Sequence, residues 1–138
     1  MDKDGRPLSP QEAFAGILLG ASACDGHASQ EELHALFTIT DRMLLFEHIS
    51  RGRWNTVVGF LTRLLAREGS RKLIDRCAEA LPDSLRQTAF ANACDIVLAD
   101  GIVQHEERQF LDHLQKALGI DAPTALTIVE VMITKNKG

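Results

Sequence analysis

Tyrosine is absent from this chain and tryptophan occurs once, with aromatics at 5%. Single-stranded nucleic acid is held on stacking platforms, so this scarcity argues against that partner. The three cysteines, Cys24, Cys77 and Cys94, are an odd number with no CxxC spacing. That fits small buried hydrophobes in a reducing compartment better than a disulfide framework. No apolar run reaches the roughly 18 residues a membrane-spanning helix needs, and the opening MDKDGRPLSPQE lacks the basic-then-apolar layout of a secretory signal. The expectation is a soluble, cytoplasmic protein. Nucleophile elbows, phosphate-binding loops and recognisable acid–base pairs are also missing, so no enzyme is expected.

What the chain does have is hydrophobic residues, 45% of 138, recurring at helical spacing almost throughout. Ser9-Pro10-Gln11-Glu12 and Ser29-Gln30-Glu31-Glu32 read as capping boxes that open helices. Met43, Leu44 and Ile49 suggest a further helix after a break near Thr40-Asp41. Trp54, Val57, Val58, Leu61, Leu64 and Leu65 form the cleanest stripe, ended by Gly69. A shorter helix carrying Leu73, Ile74 and Cys77 stops at Pro82. Ala89, Ala93, Ile96 and Val97, then Phe110, Leu111, Leu114 and Leu118, then Leu126, Val129, Met132 and Ile133 mark three more, the last capped by Asp121. Lys135 to Gly138 is expected to fray. The fold class is all-α: one domain over 1–138, a bundle of about seven or eight helices.

One motif occurs twice. Cys24-Asp25-Gly26-His27-Ala28-Ser29-Gln30-Glu31-Glu32 and Ala99-Asp100-Gly101-Ile102-Val103-Gln104-His105-Glu106-Glu107 each read as a helix ending in Asp-Gly, followed by a helix with paired glutamates in its first turn. The copies lie 75 positions apart. This predicts a duplicated hairpin with an internal pseudo-twofold, in halves 9–50 and 83–135 joined by helices within 51–82. An aspartate at a helix C-terminus meets the negative end of the macrodipole, an unfavourable placement that occurs here twice. Glu32 and Glu107 are accounted for as capping residues, whereas Glu31 and Glu106 have no such task. If the halves converge, Asp25, Glu31, Asp100 and Glu106 form a carboxylate cluster that calls for a divalent cation, with calcium or magnesium ahead of zinc. Asp95, Glu32 and Glu107 extend that acidic face. The EF-hand loop is not matched. Cys24, His27, Cys94 and His105 raise zinc, but their spacing fits no standard module. His34, His48 and His113 are expected at the surface.

Charge is uneven. Between Arg51 and Arg76 stand seven basic residues against two acidic; the whole chain is at −4, so the remainder carries −9. The basic middle reads as a solvated helix face, and no nucleic-acid partner is expected.

The doubled ADG…E signature on an all-helical chain of this size resembles the TerB-like family, the tellurite-resistance protein B group of bacterial stress proteins. The resemblance spans nearly the whole chain. It implies a compact helical domain with an internal repeat and an acidic, metal-binding surface, serving chemical-stress responses that include tellurite resistance. By motif match it places the family's acidic positions on Asp25, Glu31, Asp100 and Glu106. The first copy departs from the pattern, with Cys24 where alanine is usual and Gly20 opposite Asp95, so the two halves are expected to bind a cation unequally. The alternative is a helical protein–protein interaction module using the acidic face without metal. Another protein is the expected partner, with weak self-association beside it.

Overall fold

The first helix begins where the Ser9–Glu12 spacing says it should: the Glu12 amide donates to Ser9 Oγ at 3.1 Å and the Ser9 amide donates to Glu12 Oε1 at 2.9 Å. The structure, a computed structural model, describes residues 7–23, 29–99 and 103–137. The expected sites at Asp25 and Asp100, with the glycines that follow them, lie outside the described residues. Among those described, the chain forms α1 (Pro10–Ser22), α2 (Gln30–Asp41), α3 (Arg51–Glu68), α4 (Ser70–Ala80), α5 (Arg86–Val97), α6 (His105–Ala117) and α7 (Ala122–Lys135), with no strand. The all-α expectation holds.

Helix α1 is apolar on all sides, and every residue from Glu12 to Ala21 is buried. Such a helix belongs at the centre of the core. It packs against α2, α3, α4 and α5, and most extensively against α4. Glycine makes that approach feasible. A Cβ on Gly16 would run into Cys77 Sγ, and one on Gly20 would stand 3.0 Å from Ile74 Cδ1 and 3.3 Å from Phe110 Cε1.

The helix contacts run in parallel in the two halves. α1 packs against α2 and α3 as α5 packs against α6 and α7, and α1 and α5 meet across the middle. The sequence places α3 in the connection between halves, and its contact with α1 parallels that of α7 with α5, while no such parallel is seen for α4. The N-cap residues agree: Ser50 Oγ accepts from the Arg53 amide at 3.0 Å, and Asp121 Oδ2 accepts from the Thr124 amide at 3.1 Å.

Two expectations are corrected. The helix proposed over Met43, Leu44 and Ile49 is a single 3-10 turn at Leu44–Phe46. Its role is to bury Phe46, whose ring lies 6.2 Å from Phe14 and 5.8 Å from Trp54. The tail does not fray at Lys135: Lys135 Nζ donates to Asp95 Oδ1 at 3.0 Å and Asn136 Nδ2 donates to the same oxygen at 2.9 Å.

Arg86, at the start of α5, ties two other helix ends together. Its Nη1 donates to the Leu118 carbonyl at 2.9 Å and its Nη2 to the Ala78 carbonyl at 3.0 Å, acceptors that a helix terminus leaves without a partner of its own.

Candidate functional site

The second turn of each hairpin is set by its capping glutamate. The Ser29 amide donates to Glu32 Oε1 at 2.8 Å, and the Gln104 amide donates to Glu107 Oε1 at 2.8 Å. These bonds aim both carboxylates back toward the end of the preceding helix. Glu32 and Glu107, one from each repeat, line a single cavity of about 430 Å³ together with Asp95. Ala21 and Ser22 at the end of α1, and Ile96 and Ala99 at the end of α5, complete the wall between them. The segments flanking both Asp-Gly motifs therefore meet at one place. Glu31 and Glu106 are exposed and do not line the cavity; these two and the three lining carboxylates are the sequence-predicted acidic residues that can be placed.

Lys135 and Asn136 also line it, bound to Asp95. Sequence analysis missed both, because a contact across 40 residues leaves no local pattern. With three carboxylates and one ammonium, the wall carries two net negative charges. Among the described residues, no three His, Cys, Asp or Glu side chains come close enough to hold a metal ion. A complete ligand set at this cavity would have to draw on Asp25 and Asp100.

The unequal halves have a structural cause. Gly20 stands in the first repeat where Asp95 stands in the second. Any side chain at Gly20 would point at Ile74 and Phe110 rather than into solvent, so an acid has no room there. Half-buried Asp95 has no such cover.

Of the three cysteines, the two among the described residues belong to the core. Cys77 and Cys94 are wholly buried, and burial pushes each thiol up to about 12. For Cys77 the Arg76 charge partly opposes this and Glu12 reinforces it; for Cys94 the neighbouring Asp95 adds to it. Neither offers a ready thiolate to a metal or an oxidant, which weakens the zinc alternative at Cys94. His34 and His48 are exposed as expected. His113 is half-buried, its Nε2 2.8 Å from Asp75 Oδ1, linking α6 to α4.

Two further hollows are related by the repeat. One, of about 200 Å³, lies between α2 and α3, and the other, of about 330 Å³, between α6 and α7. Leu33, Phe37, Arg51, Trp54, Asn55 and Val58 line the first. Their counterparts Arg108, Asp112, Ala122, Ala125, Leu126 and Val129 all line the second. In the first, the Phe37 and Trp54 rings lie 5.6 Å apart, and Arg51 Cζ sits 4.2 Å from the Phe37 ring centre. The second has alanine and aspartate where those rings stand. Leu126 and Ile133, among the apolar residues that mark the last helix in the sequence, are 60% and 49% exposed on its rim.

Comparison with protein-family models, with curated proteins and with solved structures found no match.

Proposed function

We propose that this protein is a non-enzymatic, TerB-like domain of the cytoplasmic stress response, tellurite resistance included, which holds a divalent cation where its two acidic hairpins meet. Calcium or magnesium is the cation, and Asp25, Glu31, Asp100 and Glu106 are the ligands expected from the motif; Glu31 and Glu106 stand outside the cavity, so the lining carboxylates of Glu32, Asp95 and Glu107 would complete the set. The observation that supports this reading is the placement of Glu32, Asp95 and Glu107, from both repeats, around one cavity lined by residues that flank both Asp-Gly motifs in the sequence. Hard cations take carboxylate oxygens, and gathered like charges are relieved by a counter-ion.

The second reading, an acidic face that docks a basic protein partner, is favoured by Lys135, whose ammonium already lies on Asp95 in that cavity. Melting curves separate the two. A cation at about 100 times its dissociation constant adds about 2.7 kcal/mol to the folding free energy, roughly 5 °C in melting temperature for a domain of this size. Asp25→Asn together with Asp100→Asn should abolish that rise. Parent curves that coincide in chelator, millimolar calcium and millimolar magnesium would remove the cation reading and leave the acidic docking face.

A further inference from the structure

The α6–α7 hollow is unlike the acidic cavity in chemistry and place, and the molecule itself shows what a hollow of this shape holds. In the first repeat the equivalent space is narrowed by an aromatic pair, Phe37 and Trp54, with a guanidinium over the half-buried Phe37 ring. In the second repeat Asp112, Ala125 and Ala122 stand where Phe37, Trp54 and Arg51 stand in the first, so the rings are gone; a guanidinium reaches the hollow from another position, Arg108, and Leu111 and Val129 give it an apolar lining with Leu126 on the rim. Arg108 and Asp112 form no ion pair among the described residues.

We infer that the α6–α7 groove is a docking site for a tryptophan presented by another protein. An indole supplies each thing the groove lacks. Its face covers the exposed Leu126 and Ile133 and offers Arg108 a π surface, while its ring N–H offers a hydrogen bond to the Asp112 carboxylate. A second copy of this chain is a poor occupant, because its single tryptophan, Trp54, is 4% exposed and committed to Phe37 and Phe46. Of the five exposed large apolar residues among those described, Val103, Leu126 and Ile133 line this groove, while Leu44 and Val131 do not.

The test is an amide-shift titration of the isotopically labelled full chain with a blocked glycine–tryptophan–glycine peptide and its leucine analogue. Saturable shifts confined to residues 108–115 and 122–133 are expected, with the tryptophan peptide binding about tenfold more tightly than the leucine peptide. Leu126→Asp, at an exposed position, should weaken binding about tenfold or more at unchanged melting temperature, and Arg108→Ala about threefold. The inference is overturned by an absence of saturable shifts, by equal response to the leucine peptide, or by binding that survives Leu126→Asp. Sedimentation showing a dimer that Leu126→Asp dissolves would assign the groove to a second copy and overturn it equally.

Discussion

The α2–α3 and α6–α7 grooves are the same construction finished in two ways. Both are walled by the second and third helices of a repeat, and both third helices start at a polar N-cap. In the first, Trp54 and Phe37 fill the space and the Leu44–Phe46 turn adds Phe46 behind Trp54. In the second, the link from α6 to α7 is a tight turn at Gly119, with φ +68, that brings no ring. Backbone geometry and helix caps are thus shared between the repeats, while side-chain volume at matched positions decides which groove becomes core and which stays surface. The lesson is that a repeat should be compared position by position, because the difference marks the face free to meet something else.

The comparison can be broken most forcefully at Trp54. Trp54→Ala should cost about 3–5 kcal/mol, since it empties a buried site whose neighbours are ordered around the ring. Denaturant unfolding measures this, and a loss below about 1.5 kcal/mol would mean that the first groove is not closed in any energetic sense. Next in size is Gly16→Ala, expected to cost about 1–3 kcal/mol because its Cβ must displace Cys77 Sγ on α4, which packs against α1 only in the first repeat. Gly59→Ala, in α3 with only Arg63 Nη1 nearby at 3.6 Å, should instead stabilise by about 0.5–1 kcal/mol. Equal signs for the two would show that the close α1–α4 approach is not what requires Gly16.

The thiols test whether the core is equally dry around α4, which carries Cys77, and around α5, which carries Cys94. With folded values of about 12 against an ordinary 9.0, folding favours the protonated form. Each thiol's contribution is present below pH 9 and is lost as pH rises toward 12, at about 1.4 kcal/mol per pH unit. Cys77→Ala and Cys94→Ala should flatten the alkaline fall in stability by the same amount, and a twofold difference in slope would break the equivalence. Smallest is Leu126→Ala, which should change stability by no more than about 0.5 kcal/mol. A larger loss would show that Leu126 belongs to the core after all.

Much of this was legible because local rules carried it. Ser9 with Glu12, Ser29 with Glu32, Asp121, Gly69 and Gly119 mark helix boundaries through chemistry that spans three or four residues. The doubled motif pointed to a convergence, and the lining of one cavity by Glu32 and Glu107 agrees with it. The turn at Leu44–Phe46 was misread because three apolar residues at helical spacing do not disclose that the chain must bend to bury Phe46. The partnership of Asp95 with Lys135 and Asn136 depends on how α7 lies against α5, and the open α6–α7 groove depends on Ala125 standing where Trp54 stands. Both follow only once the repeats are superposed in space, since periodicity marks Leu126 as apolar without saying what covers it.

Arg86 has a consequence for motion. Helix ends ordinarily open one at a time, each at its own low free energy. Here one guanidinium bonds the carbonyls of both Ala78 and Leu118, so the last turns of α4 and α6 are coupled through a single side chain. The amides of those two turns should therefore exchange with solvent as one cooperative unit, and Arg86→Ala should split them into two.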